Sequence, residues 1–182
     1  MLKEIIGKEY EIQICLLSDG DVGKTAILDR ICKNIFNENI IGTFGGGYRQ
    51  KTMLLNNGIK IIMHIWDTNG SGSFRSMTNL YYRVSQVIVF VYDVTNILSF
   101  EGLIDWINEL KYNDEMNNKI LYLVWNKIDR DKSEIKVLTS KGKEIAEKNN
   151  MIFYEISAKT GFGVKELFIN IANKGYELLT KK

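Results

Sequence analysis

The sequence predicts a three-layer α/β fold with a six-stranded, mostly parallel sheet and helices on both faces. Short apolar runs alternate with longer amphipathic runs along the 182 residues, which is the pattern of repeated βα units. Asn56-Asn57-Gly58 joins two neighbouring apolar runs as a hairpin turn, so one strand is predicted to be antiparallel. A chain of this length is expected to form one domain over residues 1–182, with a core of about residues 8–180.

Six apolar runs of four to eight residues are rich in the β-branched and aromatic residues that favour strands. The chain contains no proline, so its turns depend on Gly, Asn and Asp. The predicted strands are Glu11–Leu17, Tyr48–Leu55, Lys60–Trp66, Gln86–Tyr92, Ile120–Trp125 and Ile152–Glu155.

Four longer segments carry apolar residues at the spacing of a helix. The last of them has an apolar stripe that is predicted to face the core. The stripe consists of Val164, Leu167, Phe168, Ile171, Ala172 and Leu178. The predicted helices are Thr25–Lys33, Ser99–Tyr112, Thr139–Asn149 and Val164–Leu179.

Charge and composition argue against two classes of function. The formal net charge is +2, without the basic face or arm that nucleic-acid binders use, so no nucleic-acid partner is expected. The longest strongly apolar run, Val87–Tyr92, is far shorter than the ~20 residues of a membrane span. Cys15 and Cys32 lie in a predicted strand and helix and are expected to be buried thiols in a reducing compartment.

Residues 18–25 follow the first predicted strand and open the first predicted helix. Their sequence, Ser-Asp-Gly-Asp-Val-Gly-Lys-Thr, matches a phosphate-binding P-loop, in which backbone N–H groups and a helix N-terminus surround phosphate oxygens. Lys24 would reach the β- and γ-phosphates, and the Thr25 hydroxyl would bind Mg²⁺. The P-loop consensus begins with Gly where this chain has Ser18, so this motif alone does not establish a phosphate-binding site. The residues that follow the other predicted strands provide the further evidence.

Three further predicted strands end in polar residues that suit a nucleotide. Asp67 follows the third strand, where P-loop proteins carry the carboxylate that assists Mg²⁺. Asp129, in Asn126-Lys127-Ile128-Asp129, can accept hydrogen bonds from N1–H and the 2-amino group of guanine, and adenine offers neither. The backbone N–H groups of Ser157-Ala158-Lys159 can donate to the guanine carbonyl oxygen. Each motif alone also fits an ordinary loop, but together they predict a guanine-nucleotide site.

These motifs resemble, in order and spacing, those of Ras-superfamily small GTPases over essentially the whole chain, and the resemblance is closest to Rab proteins. It implies the P-loop NTPase (small G-protein) fold and a GTP-binding molecular switch that hydrolyses GTP to GDP and phosphate in vesicle trafficking and protein transport. The Rab-like stretches are Trp66-Asp67-Thr68, Ser73-Phe74-Arg75, Tyr81-Tyr82-Arg83 and Val91-Tyr92-Asp93-Val94-Thr95.

The resemblance also implies functions for single residues. Thr43 takes the position that ligates Mg²⁺ and touches the γ-phosphate, Phe36 packs on the guanine ring, and Gly70 offers its backbone N–H to the γ-phosphate. The implied catalytic positions are Lys24, Thr43, Gly70 and Ser71, and the implied Mg²⁺ ligands are Thr25, Thr43 and, through water, Asp67. The implied nucleotide contacts are Gly20, Asp21, Val22, Gly23, Lys24, Thr25, Ala26, Phe36, Thr43, Gly70, Asn126, Lys127, Asp129, Ser157, Ala158 and Lys159.

Residues 36–47 and 67–82 are implied to be two switch segments that bind effectors, exchange factors and GTPase-activating proteins. The aromatic residues nearby belong either to the core or to an effector surface. We expect a cytoplasmic monomer. Rab-like proteins attach to the cytosolic face of endomembranes through a prenylated tail, and no prenylation cysteine precedes Lys181-Lys182. Either such a tail lies beyond these residues, or the protein works without a lipid.

Three departures from the family pattern affect the predicted chemistry. Ser71 stands where small GTPases carry the Gln that orients the attacking water, and its side chain is too short for that task. Asp21 replaces a glycine, and a carboxylate beside a triphosphate is unfavourable unless it faces outward or meets a cation. Gly45-Gly46-Gly47 raises the entropy that the first switch loses on ordering.

The leading hypothesis is therefore a Rab-like switch with weak intrinsic hydrolysis. The alternative is a nucleotide-binding pseudo-GTPase that acts as an interaction scaffold. An ATP-using kinase is disfavoured because Asp129 should reject adenine.

Overall fold

The structure is a computed structural model that describes residues 7–38, 47–69 and 75–181. Six strands form one sheet in the order β2-β3-β1-β4-β5-β6. Strand β2 runs antiparallel to β3, and every other neighbouring pair is parallel. The predicted sheet, including its one antiparallel strand, is confirmed. The strands are β1 Glu9–Leu17, β2 Gly47–Leu54, β3 Lys60–Asp67, β4 Val87–Asp93, β5 Ile120–Asn126 and β6 Ile152–Glu155.

In the described part of the chain, five helices lie on the two faces of the sheet: α1 Lys24–Lys33, α2 Arg75–Val84, α3 Ile97–Tyr112, α4 Thr139–Lys148 and α5 Val164–Thr180. Four of them correspond to predicted helices. Helix α2 is absent from the predicted helices, although Met77, Leu80, Tyr81 and Val84 have the i, i+3, i+4, i+7 spacing of an amphipathic helix. It buries Thr78 and Tyr82, whereas the apolar side chains of Met77, Leu80 and Val84 are exposed.

The core consists of two apolar clusters, one on each face of the sheet. Strand β1 supplies both, since its side chains alternate between the faces. Ile14 and Leu16 belong to the cluster with α1 and α5, whereas Cys15 and Leu17 belong to the cluster with α3 and α4. The predicted α5 stripe is buried in the first cluster, except that Leu178 is only half-buried.

The thiol of Cys15 is buried, as expected, whereas that of Cys32 is only half-buried. Among the described residues, none of the helices combines the length and the apolar character needed to cross a bilayer.

The parallel strands run in the same direction, which brings the loops that follow them to one edge of the sheet. Leu16 of β1 pairs with Asp67 of β3, and Asp93 of β4 pairs with Asn126 of β5. The Thr68 hydroxyl donates to the Leu16 carbonyl oxygen at 2.6 Å, which ties the ends of β1 and β3 together. Ligands of open α/β sheets bind at this carboxyl edge.

Candidate functional site

The loop of residues 18–25, called the P-loop below, connects β1 to α1 and holds a buried lysine. The Lys24 side chain reaches back along the loop, and its Nζ donates to Ser18 Oγ at 2.6 Å, to the Asp19 carbonyl oxygen at 2.9 Å and to the Ser18 carbonyl oxygen at 3.4 Å. Lys24 is 6% exposed and Ser18 is 1% exposed. Burial, which disfavours the charged form, lowers the pKa of Lys24 to about 8.

Gly23 ends the loop in a conformation that suits glycine. Its φ is +95°, and a Cβ at this position would lie 2.7 Å from Nδ2 of Asn126. The α1 helix therefore begins at a residue without a side chain, where backbone N–H groups and the helix dipole can face an anion.

Asp67 and Thr25 form a pair of oxygen ligands beside the P-loop. The Thr25 hydroxyl donates to Asp67 Oδ2 at 2.6 Å. Asp67 is 2% exposed, and its other oxygen, Oδ1, has no hydrogen-bond partner among the described residues. Burial raises the pKa of Asp67, against the opposing effects of the Thr25 hydrogen bond and the Lys24 charge.

A carboxylate and a hydroxyl are the hard oxygen ligands that suit Mg²⁺, which usually keeps several waters. The orphaned Asp67 Oδ1 supplies an acceptor for such a water, so the residues fit the ion. Within the described part of the chain, no group of three or more His, Cys, Asp or Glu side chains could hold a metal ion.

Asn126 connects the P-loop to the loop that follows β6. Its Nδ2 donates to the Val22 carbonyl oxygen at 2.8 Å, and its Oδ1 accepts from the backbone N–H of Ala158 at 3.2 Å. The side chain is 1% exposed, so both bonds are shielded from water. One amide thus fixes the distance between the predicted phosphate-binding and base-binding parts of the site.

Lys127 is held in an unusual conformation by two contacts. Its φ is +68°, in the left-handed region that non-glycine residues rarely occupy. Its Nζ donates to the Asp21 carbonyl oxygen at 2.8 Å and forms an ion pair with Asp93 Oδ2 at 2.7 Å. Backbone strain of this kind persists where the surroundings enforce it, and it is concentrated at functional sites.

Asp129 is exposed at the edge of the site, and its orientation is set by Ser157. The Ser157 hydroxyl donates to Asp129 Oδ1 at 2.5 Å and accepts from the Thr160 backbone N–H at 3.0 Å. Because the serine occupies one carboxylate oxygen, Oδ2 remains available for a ligand. A fixed carboxylate can distinguish donors from acceptors on a planar base.

Arg30 of α1 supports the loop after β6 and was missed by the sequence analysis. Its Nε donates to the Ala158 carbonyl oxygen at 3.0 Å and its Nη2 to the Lys159 carbonyl oxygen at 2.6 Å. Lys159 in turn pairs with Glu38 at 2.7 Å. Nothing in the local sequence around Arg30 indicates this contact, because its partners lie more than 120 positions away.

The structure also adds Asp19 and Trp106 to the site. Trp106 of α3 donates from Nε1 to Asp19 Oδ1 at 3.2 Å. Gly102, one turn earlier on α3, leaves room for the Asp19 carboxylate, which a Cβ there would strike. Helix α3 therefore supports the P-loop from the side.

Some of the remaining predicted site residues lie in the described part of the chain, and others lie outside it. In the P-loop, Val22 is buried, Gly20 is exposed, and Asp21 is exposed at φ +61°; Ala26 is buried in the first turn of α1. The half-buried ring of Phe36 packs against the α1–α5 core cluster, and its stacking on guanine stays a prediction. Thr43, Gly70 and Ser71 lie outside the described residues.

Two aromatic side chains, Trp66 of β3 and Tyr81 of α2, stack near the surface, and Tyr48 packs against Trp66 with its ring tilted by 51°. The rings of Trp66 and Tyr81 are parallel within 10°, with centroids 4.7 Å apart, and Tyr48 lies 5.1 Å from Trp66. Tyr48 is 43% exposed. Tyr82 is completely buried and belongs to the core. We call Tyr48, Trp66 and Tyr81 the aromatic stack.

The sequence of this chain is similar to a well-populated family. A Ras family sequence model matches residues 13–177. Ras-related protein RAB1BV of Beta vulgaris is 39% identical over 165 residues, which cover 90% of this chain and 75% of that protein. Ras-related protein RABE1d of Arabidopsis thaliana is 37% identical over 174 residues, which cover 95% of this chain and 79% of that protein. Ras-related protein Rab-10 of Diplobatis ommata is 37% identical over 169 residues, covering 91% and 82%.

Proposed function

We propose a GTP-dependent switching function for this chain, which belongs to the Ras family of small GTPases and is most similar to Rab proteins. In the proposal it binds GDP and GTP, changes its interactions with the nucleotide state, and hydrolyses GTP slowly. Ras-family proteins are GTPases that bind these nucleotides, generally with Mg²⁺. What is proposed is that this chain does so with the residues described above.

The observation that carries the proposal is the pair of hydrogen bonds made by Asn126. They join the P-loop at Val22 to the loop after β6 at Ala158. A phosphate-binding loop alone would suit many nucleotides. A second polar loop held at a fixed distance from it suits a nucleotide whose phosphates lie at the P-loop and whose base lies at the loop after β6. This supports one site for a whole nucleotide, with phosphate and base recognised together.

Asp129 supports a preference for guanine. Its Oδ2 is left to accept from the N1–H and 2-amino groups, while Ser157 orients the carboxylate through Oδ1. Adenine has an acceptor at N1 and no 2-amino group, so it would leave the carboxylate unpaired. A site that is built to receive donors rejects an analogue without them by a large factor, often 10⁴ or more.

The residues around the phosphates support electrostatic stabilisation. When bound between Thr25 and Asp67, Mg²⁺ would neutralise charge that develops on the phosphate oxygens. Lys24 contributes a further positive charge from the P-loop, and the N-terminus of α1 adds its dipole. Phosphoryl transfer depends mainly on such positioning and charge neutralisation.

Slow hydrolysis is proposed from Ser71. A glutamine amide can hold the attacking water and a γ-phosphate oxygen together, whereas a serine hydroxyl is shorter by two heavy atoms of reach. The protein would then remain in its GTP-bound form for longer than a relative with glutamine, unless a partner supplies the missing group.

Partners are proposed to bind beside the aromatic stack. Trp66 and Tyr81 are held parallel, and the apolar side chains of Met77, Leu80 and Val84 are exposed on the adjacent helix α2. Effectors and regulators of the switch would contact this surface and the proposed switch segments, residues 36–47 and 67–82. We further propose a cytoplasmic monomer in membrane trafficking, with attachment to membranes wherever the protein carries a lipidated tail.

The proposal is tested by identifying the nucleotide released when the purified protein is denatured, and by competing GDP and ADP for the protein. We expect GDP or GTP in the released fraction and at least about 10³-fold preference for GDP over ADP. The Asp129→Ala variant should lose most of that preference, whereas Asp131→Ala, an exposed carboxylate nearby, should keep it. Release of no guanine nucleotide together with no measurable GDP binding would favour an interaction scaffold instead.

A further inference from the structure

We infer that the Ser18 hydroxyl competes with nucleotide phosphate for the Lys24 ammonium, so that Ser18 sets how fast this protein exchanges its nucleotide. The inference rests on the proposed function, because it concerns the same P-loop. It assigns Ser18 as a positioning residue that acts through Lys24.

The contact between the two side chains is short and enclosed. Lys24 Nζ lies 2.6 Å from Ser18 Oγ, closer than to either carbonyl oxygen that it also contacts. Ser18 Oγ in turn donates to the Asp19 carbonyl oxygen at 2.7 Å, which orients its lone pairs toward the ammonium. Both side chains are nearly inaccessible to water, so solvent competes little with the bond.

The three contacts use the full donor capacity of the lysine. An ammonium group has three N–H donors, and here they meet Ser18 Oγ, the Ser18 carbonyl oxygen and the Asp19 carbonyl oxygen. A phosphate oxygen that bonds to Lys24 must therefore replace one of these acceptors. The carbonyl oxygens belong to the backbone and are fixed by the loop, whereas the hydroxyl can turn away by a change of χ1, so the hydroxyl is the acceptor that gives way.

The hydroxyl is what distinguishes this loop from the P-loop consensus at this position. A glycine there would supply the same carbonyl oxygen but no side-chain acceptor. Ser18 has an ordinary backbone conformation, with no positive φ, so the substitution alters the lysine's partners without straining the loop. The added acceptor stabilises the nucleotide-free protein, and this weakens binding by the same free energy.

The inference predicts two changes of opposite sign in Ser18→Ala. Dissociation of a fluorescently labelled GDP, chased with unlabelled GDP at fixed Mg²⁺, should slow by about tenfold. The reason is that Lys24 no longer has the Ser18 hydroxyl as an alternative acceptor when the phosphate leaves. The melting temperature of the nucleotide-free protein should fall by about 3 °C, because Lys24 then keeps a buried donor unpaired. A general defect in the loop would lower stability and speed dissociation together.

Two further variants complete the experiment. Ser18→Gly, which restores the consensus residue, should also slow dissociation and serves if Ser18→Ala folds poorly. Ser85→Ala is the control, because it removes another buried serine hydroxyl that does not belong to the P-loop. That hydroxyl donates to the Tyr81 carbonyl oxygen at 2.8 Å, and its removal should leave GDP dissociation unchanged.

The outcomes separate this inference from the proposed function. Wild-type protein that binds GDP, with unchanged or faster dissociation in both Ser18 variants, overturns the inference and leaves the proposed function standing. Failure of the wild type and all variants to bind guanine nucleotide overturns both. Slower dissociation with a lower nucleotide-free melting temperature supports the inference.

Discussion

At the scale of single residues, the site concentrates backbone strain at two residues that are in contact. Asp21 and Lys127 both have positive φ, at +61° and +68°, and the Lys127 ammonium donates to the Asp21 carbonyl oxygen. The structure explains why the family pattern has glycine where this chain has Asp21. Aspartate tolerates the left-handed region better than most residues, because its short side chain can bond locally. The exposed carboxylate points to solvent, which reduces the repulsion expected beside phosphates.

The strain at Asp21 predicts an order of stability. Asp21→Gly should raise the free energy of unfolding by about 0.5 kcal/mol. Glycine removes the strain of the left-handed conformation, and this gain exceeds the cost of the extra conformational entropy that glycine loses on folding. Asp21→Ala should lower it, since alanine has neither the freedom of glycine nor a local acceptor. Urea denaturation of the three nucleotide-free proteins checks the order. Equal stability of the glycine and alanine variants would show that φ at this position carries no cost.

At the scale of elements, helix α2 is anchored by polar contacts at its C-terminus as well as by the buried ring of Tyr82. The Lys119 ammonium donates to the carbonyl oxygens of Tyr82, Arg83 and Ser85 at 3.0, 3.0 and 2.8 Å. Arg83 also pairs with Glu115 at 2.9 Å. Burial lowers the pKa of Lys119. These contacts satisfy carbonyl groups that a helix end leaves unpaired, and they anchor the C-terminal end of α2.

Lys119→Met is expected to loosen α2 without emptying the core. Its aliphatic stem remains, but three carbonyl groups lose a charged donor, and the free energy of unfolding should fall by about 1–2 kcal/mol. Hydrogen exchange should rise most in the last turn of α2. The matched control is Lys111→Met on α3, an exposed lysine that should change the free energy of unfolding by less than about 0.5 kcal/mol. Equal losses in the two variants would contradict the capping function of Lys119.

At the scale of the whole molecule, strand ends explain both what could be predicted and what could not. Asp67, Asn126 and Ser157 each follow a strongly apolar run, so sequence alone could place them at one edge of a parallel sheet. The strand pairings confirm that arrangement. Contacts such as that of Trp106 with Asp19 could not be predicted, because they depend on how helices pack against loops across long sequence distances.

Helix α2 shows the other limit of the sequence. Its segment resembles a Rab switch and no helix is predicted there, although Met77, Leu80, Tyr81 and Val84 have the spacing of an amphipathic helix. The contacts from Lys119 that anchor its C-terminus come from more than 30 positions away and leave no signal in the segment itself. The contact between Ser18 and Lys24 was hidden for a similar reason, since a serine at the first P-loop position indicates a departure from the consensus but not its partner.

The central claim is that this chain is a GTP-binding switch with slow hydrolysis because Ser71 replaces glutamine. Single-turnover hydrolysis of bound GTP, measured for the wild type and for Ser71→Gln with Mg²⁺ present, tests it most directly. We expect the variant to be faster by at least about tenfold, which corresponds to about 1.4 kcal/mol of barrier, with GDP affinity unchanged. A wild-type rate equal to that of the glutamine variant would contradict the account.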